Sequence, residues 1–250
     1  MRILDDIIGS LTDDCPVQEV RTCTYWTAVV SKNCGLASTL RDECPAEHTK
    51  PVRDIGSLTQ KSAKELAQYV QSDRLLEATI GMAAINSLID IDESKCTHLN
   101  AFEVIAEKGV DRNIAVIGHF PFVGKLRDIA EQLWVIERRP RPGDLPEAMA
   151  SEILPKANVV AISATTLINH TLEDLLSHCR EDSFKVMLGP TSPMLPLLFD
   201  YGIDVISGVK VLDTEMVLRC ISEGAPFRQV RGVRLLTMRS IQKRRRRLVD

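Results

Sequence analysis

No apolar run among the 250 residues approaches the ~20 needed to span a bilayer. The first ten residues include Asp5 and Asp6 and lack a signal peptide's apolar core. These absences make the cytoplasm the expected location and argue against a membrane partner. No Cys-x-x-Cys occurs, and the seven cysteines (Cys15, Cys23, Cys34, Cys44, Cys96, Cys179 and Cys220) are odd in number. Reduced thiols are therefore expected, and zinc of the paired-cysteine type is not. A nucleophile elbow, a Walker loop and His-Glu-x-x-His are also missing. Ser163, Thr165 and Ser192 carry hydroxyls, but no spacing fixes a base beside them. The sequence points to a binding crevice more clearly than to a reaction.

The composition, 44% hydrophobic and 26% charged, is that of an ordinary globular protein large enough for one or two domains. The net charge of −3 hides an asymmetry. Residues 228–250 hold nine Lys/Arg and one acid, leaving 22 basic and 33 acidic residues before them, a balance of −11. An acidic body argues against nucleic acid as a partner, except through a basic tail over 228–250.

Val17 to Ser31 is rich in β-branched and aromatic residues and predicts two strands, and Lys32 to Gly35 supplies a turn. An antiparallel meander is expected. Ser62 and Glu65 fit a capping box, and Ala63, Leu66, Ala67 and Val70 form one helical stripe. Residues 74–91 are apolar almost all round, so that helix should be buried. A further helix over 99–108 should end at Gly109. From Asn113 the rhythm changes to apolar runs at 114–117, 133–136, 159–162, 186–188 and 203–206, with connectors including helices near 169–179 and 213–222. The expected fold is α/β, a Rossmann-like, doubly wound, mainly parallel sheet preceded by a small α+β domain. Residues 1–97 form the α+β domain, 98–227 the Rossmann-like domain and 228–250 the basic tail.

The organising stretch is Asn113 to Phe122. Four apolar residues predict a strand buried on both faces, Gly118 a turn, and His119 a place on the loop at the strand's carboxyl end. Polar turns rich in Gly and Pro follow the other strands: Glu137, then Thr165, Thr166 and Asn169, then Gly189, Pro190, Ser192 and Pro193, and finally Asp213. Gly118 with Glu137 imitates a dinucleotide site, but the run is Gly-His-Phe-Pro-Phe-Val-Gly. Pro121 has no amide to offer a pyrophosphate, so a nucleoside-containing ligand would bind in some other way. His119 is the candidate metal ligand or acid–base group. Glu137 and Asp213 are candidate carboxylates across the crevice. His170, Asp174 and His178 share a helical spacing that more simply makes a solvated face.

The motifs GHFPF (118–122), TTLINHTLEDLL (165–176), LGPTSPMLP (188–196) and the YGID to GVKVLD run (201–213) resemble the heavy-metal chelation domain family. Gly35 to Thr39 and Gly81 to Asn86 are similar to the enolase N-terminal-like domain that precedes it. The resemblance implies a cleft between the two domains, lined by Gly35, Ser38, Gly118, His119, Phe120, Pro121, Thr166, Asn169, Gly189, Pro190, Ser192, Pro193 and Asp213. It also implies metal chelation, with a link to anaerobic cobalamin-type metabolism. The leading expectation is a protein holding a small-molecule or metal ligand in that cleft, with a transition-metal ion or a nucleoside-containing ligand as cofactor. An enzyme using a nucleoside cofactor for methyl or hydride transfer is the alternative. Homo-oligomer formation stays open.

Overall fold

The computed structural model describes residues 2–41 and 51–240. Helix α1 (Arg2–Gly9) leads into an antiparallel meander, β1 (Glu19–Thr22), β2 (Trp26–Val30) and β3 (Cys34–Ser38). Next come α2 (Ala63–Ala67), which carries the expected capping box, and α3 (Leu75–Leu88). Alternation on β2 and β3 sends Val29 and Ala37 toward α3, and Ala28 and Leu36 toward the opposite face. Helix α3 is buried almost all round because it packs between the meander and α2. Small residues permit the approach. A Cβ on Gly35 would lie 2.1 Å from Ala83 O, and one on Gly81 would lie 2.0 Å from Val70 N.

The second unit begins with β4 (Cys96–Thr97), α4 (Ala101–Gly109), β5 (Asn113–Ile117), α5 (Val123–Arg127), β6 (Gln132–Glu137), β7 (Leu145–Pro146) and α6 (Ala150–Ile153). It continues with β8 (Val159–Ser163), α7 (Leu172–His178), β9 (Phe184–Leu188), β10 (Val205–Val211), α8 (Thr214–Ser222) and β11 (Val233–Arg239). The eight strands form one sheet in the order β4-β11-β10-β9-β8-β5-β6-β7, parallel from β10 to β7. Each central strand alternates between two cores. Ile114 and Val116 meet Val104 and Ile105 of α4, while Ala115 and Ile117 join the core shared with α6, α7 and the first unit. Each Val or Ile among them contributes about 1.5–3 kcal/mol when fully buried.

Three expectations change. The basic tail expected over 228–250 does not start at 228, because Val233–Arg239 is a strand paired along its length with β10. Arg234 and Arg239 of that strand bond Glu93 and Glu107. Lys243 to Arg247 lie outside the described residues, as does Cys44; the six described cysteines are free. The strand expected at 203–206 runs instead over 205–211, drawn onward by β11. The helix expected from 169 starts at Leu172, since His170 takes a positive φ of 64° and bonds Val70 O at 2.7 Å. His170 therefore leaves the face that Asp174 and His178 share. Among the described residues, no helix is long and apolar enough to cross a membrane.

Candidate functional site

The strand order reverses at β5, whose neighbours β6 and β8 are reached by connections running in opposite directions. Such a switch point leaves a crevice at the carboxyl ends of the strands. Here it widens into a cleft of about 1330 Å³, roofed by Thr24, Trp26 and residues 38–41 of the first unit. Gly118 makes the turn out of β5 with φ +98°. Its N–H donates to Ile136 O at 2.8 Å, and a Cβ there would come within 3.1 Å of Ser163 Cβ.

His119 follows on the cleft wall. Its Nδ1 lies 3.0 Å from Asp144 Oδ2, and the Arg141 amide donates to the same oxygen at 3.0 Å. The Asp144 side chain is 4% exposed and that of His119 23%. A carboxylate only accepts, so Nδ1 carries a proton, and in the neutral imidazole the lone pair lies on Nε2. Among the described residues, Nε2 has no hydrogen-bond partner. The two residues thus form a braced imidazole, the arrangement that fixes histidine tautomers in metal and proton-transfer sites.

The neighbouring strand ends are polar but mostly uncharged. Ser163 Oγ lies 2.8 Å from Thr165 Oγ1, and Thr166 Oγ1 donates to Ser163 O. Asn169 Oδ1 accepts from Thr171 N and Oγ1, leaving its amide N–H groups as donors. At the end of β9, Thr191 Oγ1 accepts from Ser38 N at 2.9 Å and donates to Ser38 Oγ at 3.1 Å. Asn86 Nδ2 spans Leu36 O and Thr191 O, joining the two units beside Gly189 and Pro190. Glu137 at the tip of β6 also lines the cleft.

The cleft therefore gathers Ser38, Gly118, His119, Phe120, Pro121 and Glu137 with Thr165, Thr166, Asn169, Gly189 and Pro190. Four expected residues lie elsewhere. Gly35 is buried against α3, where close packing explains it. Ser192 and Pro193 are buried behind the loop, with Ser192 lining a separate cavity of about 110 Å³. Asp213 accepts from Met216 N at 3.0 Å as the N-cap of α8, because β10 carries the chain past the cleft. It therefore does not face Glu137. The sequence reading missed Asp144, which sits in a Pro/Gly turn 25 residues beyond His119. It gave no site role to Asn86 or Thr191, and of the aromatic and basic walls it named only Phe120.

One imidazole, its carboxylate brace and Glu137 suit a borderline transition metal better than a soft one. Among the described residues, no three His, Cys, Asp or Glu side chains meet in a group that could hold a metal ion. Chelation by these side chains alone does not fit the described cleft.

Comparison with known proteins adds the family. Residues 100–239 match the DUF364 family and residues 4–89 the DUF4213 family, both described as "Putative heavy-metal chelation". The chain is 30% identical over 194 residues to the uncharacterized protein MJ0500 of Methanocaldococcus jannaschii, covering 75% of this chain and 73% of that one. Two crystal structures of DUF364 proteins of unknown function share the fold with a TM-score of 0.80: one from Desulfitobacterium hafniense DCB-2 at 24% identity and one from Pyrococcus horikoshii at 22%. Each alignment covers 96% of this chain and 98% of the other. The braced imidazole at a switch-point crevice thus sits in a chain that belongs to the DUF364 family.

Proposed function

We propose that the cleft binds a metal ion together with a small organic anion, with His119 Nε2 supplying one donor to the metal. The supporting observation is the His119–Asp144 pair, which leaves a single imidazole nitrogen available at the crevice. The family description points the same way. A metal handled inside an organic chelator also fits the link to anaerobic cobalamin-type metabolism that the resemblance implies. Titration calorimetry with Co²⁺, Ni²⁺ and Zn²⁺, with and without citrate, tests the reading. His119→Ala should abolish metal binding while leaving the melting temperature nearly unchanged. Asp144→Asn should weaken binding by about 10–100-fold, as expected for loss of a brace behind a ligand. Wild-type metal affinity in His119→Ala would refute the proposal.

A second reading is an enzyme using a nucleoside cofactor. It is favoured by Glu137, an acid at the tip of the strand beside the switch strand, where a ribose diol is bound in dinucleotide folds. A thermal-shift screen with S-adenosylmethionine, NAD and ATP separates the two readings. Ligand at 100 times its Kd stabilises by about 2.7 kcal/mol.

A further inference from the structure

The cleft is far larger than a metal ion requires. Its volume of about 1330 Å³ exceeds the ~300–1,000 Å³ of typical small-molecule sites. Its walls are also unlike the rest of the molecule. The chain has only 11 aromatic residues, yet five of them line this cleft: Trp26, Phe102, Phe120, Phe122 and Phe227. The buried apolar residues of the sheet's strands include no aromatic, with Trp134 and Phe184 only partly buried beside them. Phe120 and Phe122 stack with centroids 5.3 Å apart and planes 7° apart, and Phe102 lies 5.8 Å from Phe122. On the roof, Trp26 and Phe227 lie 5.4 Å apart. Packing against the core accounts for part of each Phe120 and Phe122 ring; the remainder lines the cleft.

Charge is concentrated there too. Arg41, Lys125, Arg138, Arg139 and Arg228 line the cleft against Glu137 and Glu147. Among the described residues, five cations and two acids line the cleft, the reverse of the acidic body's balance. A concave surface lined by one sign of charge attracts ligands of the other. One hydroxyl of the Ser163–Thr165 pair, the Ser38 hydroxyl and the Asn169 amide add neutral donors.

From these walls we infer that the organic ligand is an aromatic polyanion, a flat conjugated ring bearing phosphate or carboxylate groups. The ring stacks on the Phe102–Phe120–Phe122 wall, the anionic groups meet the basic residues, and ligand oxygens bring the metal donors that the protein lacks. This inference rests on the reading above and names the class of its ligand.

The test is calorimetry on the full chain at low salt without metal, using pyridine-2,6-dicarboxylate, ATP, adenosine and citrate. The dicarboxylate or ATP should bind and quench tryptophan fluorescence, while citrate, charged but not aromatic, should bind at least tenfold more weakly. Uncharged adenosine should be weaker than ATP. Tighter binding of ATP identifies phosphate as the anionic group; tighter binding of the dicarboxylate identifies carboxylate. Phe120→Leu, which keeps an apolar side chain, should weaken the aromatic anions by about tenfold or more, the usual loss of a stacking platform, and leave citrate unchanged. Citrate binding as tightly as the aromatic anions, no binding of any anion, or no effect of a folded Phe120→Leu variant would each overturn the inference. His119→Ala separates the two proposals. If it retains wild-type metal affinity but the aromatic preference holds, the metal reading falls and this one stands.

Discussion

Gly35→Ala should destabilise the fold rather than remove a ligand contact. The added Cβ would lie 2.1 Å from Ala83 O and 2.3 Å from Ser87 N, both backbone atoms of α3. Ordinary contact starts near 3.4 Å, so β3 and α3 must separate by about 1 Å, and a gap of that size forfeits a quarter to a half of the dispersion attraction across it. The same shift stretches the Asn33 N to Ser87 O bond of 2.9 Å and the Asn86 Nδ2 to Leu36 O bond of 2.8 Å. Overpacking costs about 1–3 kcal/mol, and two rigid backbones place this case at the upper end. A loss of about 3 kcal/mol lowers Tm by about 6–12 °C in a chain of this size. Urea unfolding followed by circular dichroism measures the loss directly. Gly124→Ala is the control: its Cβ meets nothing within 4 Å, it lies inside α5, and it should be neutral or stabilising by up to about 1 kcal/mol. A Gly35→Ala protein with wild-type Tm and no ligand affinity would refute the packing argument and return Gly35 to the site.

Glu77 is buried, and its carboxylate accepts from Arg53 N at 2.8 Å and meets Arg53 Nε at 2.9 Å. Glu77→Ala should cost about 2–3 kcal/mol, mostly from the orphaned amide and lost packing, while Glu77→Gln should cost about half as much by urea midpoint. Asn86→Asp should set a carboxylate against two carbonyl oxygens, costing about 1–3 kcal/mol at pH 7 and recovering as pH falls below the carboxyl's range. Burial, helped by the Glu19 carboxylate, pushes the Cys34 thiol up to about 12, and burial raises Cys179 to about 11. A thiol whose folded pKa is raised contributes stability that is complete below the unfolded value of about 8.5 and is lost as pH rises through the folded value. Both should resist iodoacetamide at pH 8 in native protein and react on unfolding, as read by mass spectrometry.

The strands of the second unit were legible because residues buried on both faces leave unbroken apolar runs, as 114–117 does. Their shared edge followed from the right-handed crossover rule. The ends of elements were less legible. Nothing local to 203–206 shows that β10 will be lengthened by a strand drawn from residues 233–239. Asp213 looked like a crevice carboxylate for the same reason, since its capping role depends on where β10 stops. Gly35 signals an unusual backbone position, but a sequence does not say whether the close neighbour is a ligand or a helix. The Asp144 brace depends on a loop folding back across the end of β6. No periodicity encodes that contact.

The register of β11 has a consequence for how the molecule is made. That strand is the last described element to leave the ribosome, yet it covers one whole flank of β10 and holds β4, which was synthesised some 140 residues earlier. A nascent chain stopped short of Val233 would present an unpaired hydrophobic ribbon to its neighbours, the kind of surface on which chains assemble wrongly. Truncation after Gly232 should therefore yield aggregated protein rather than a smaller soluble fold.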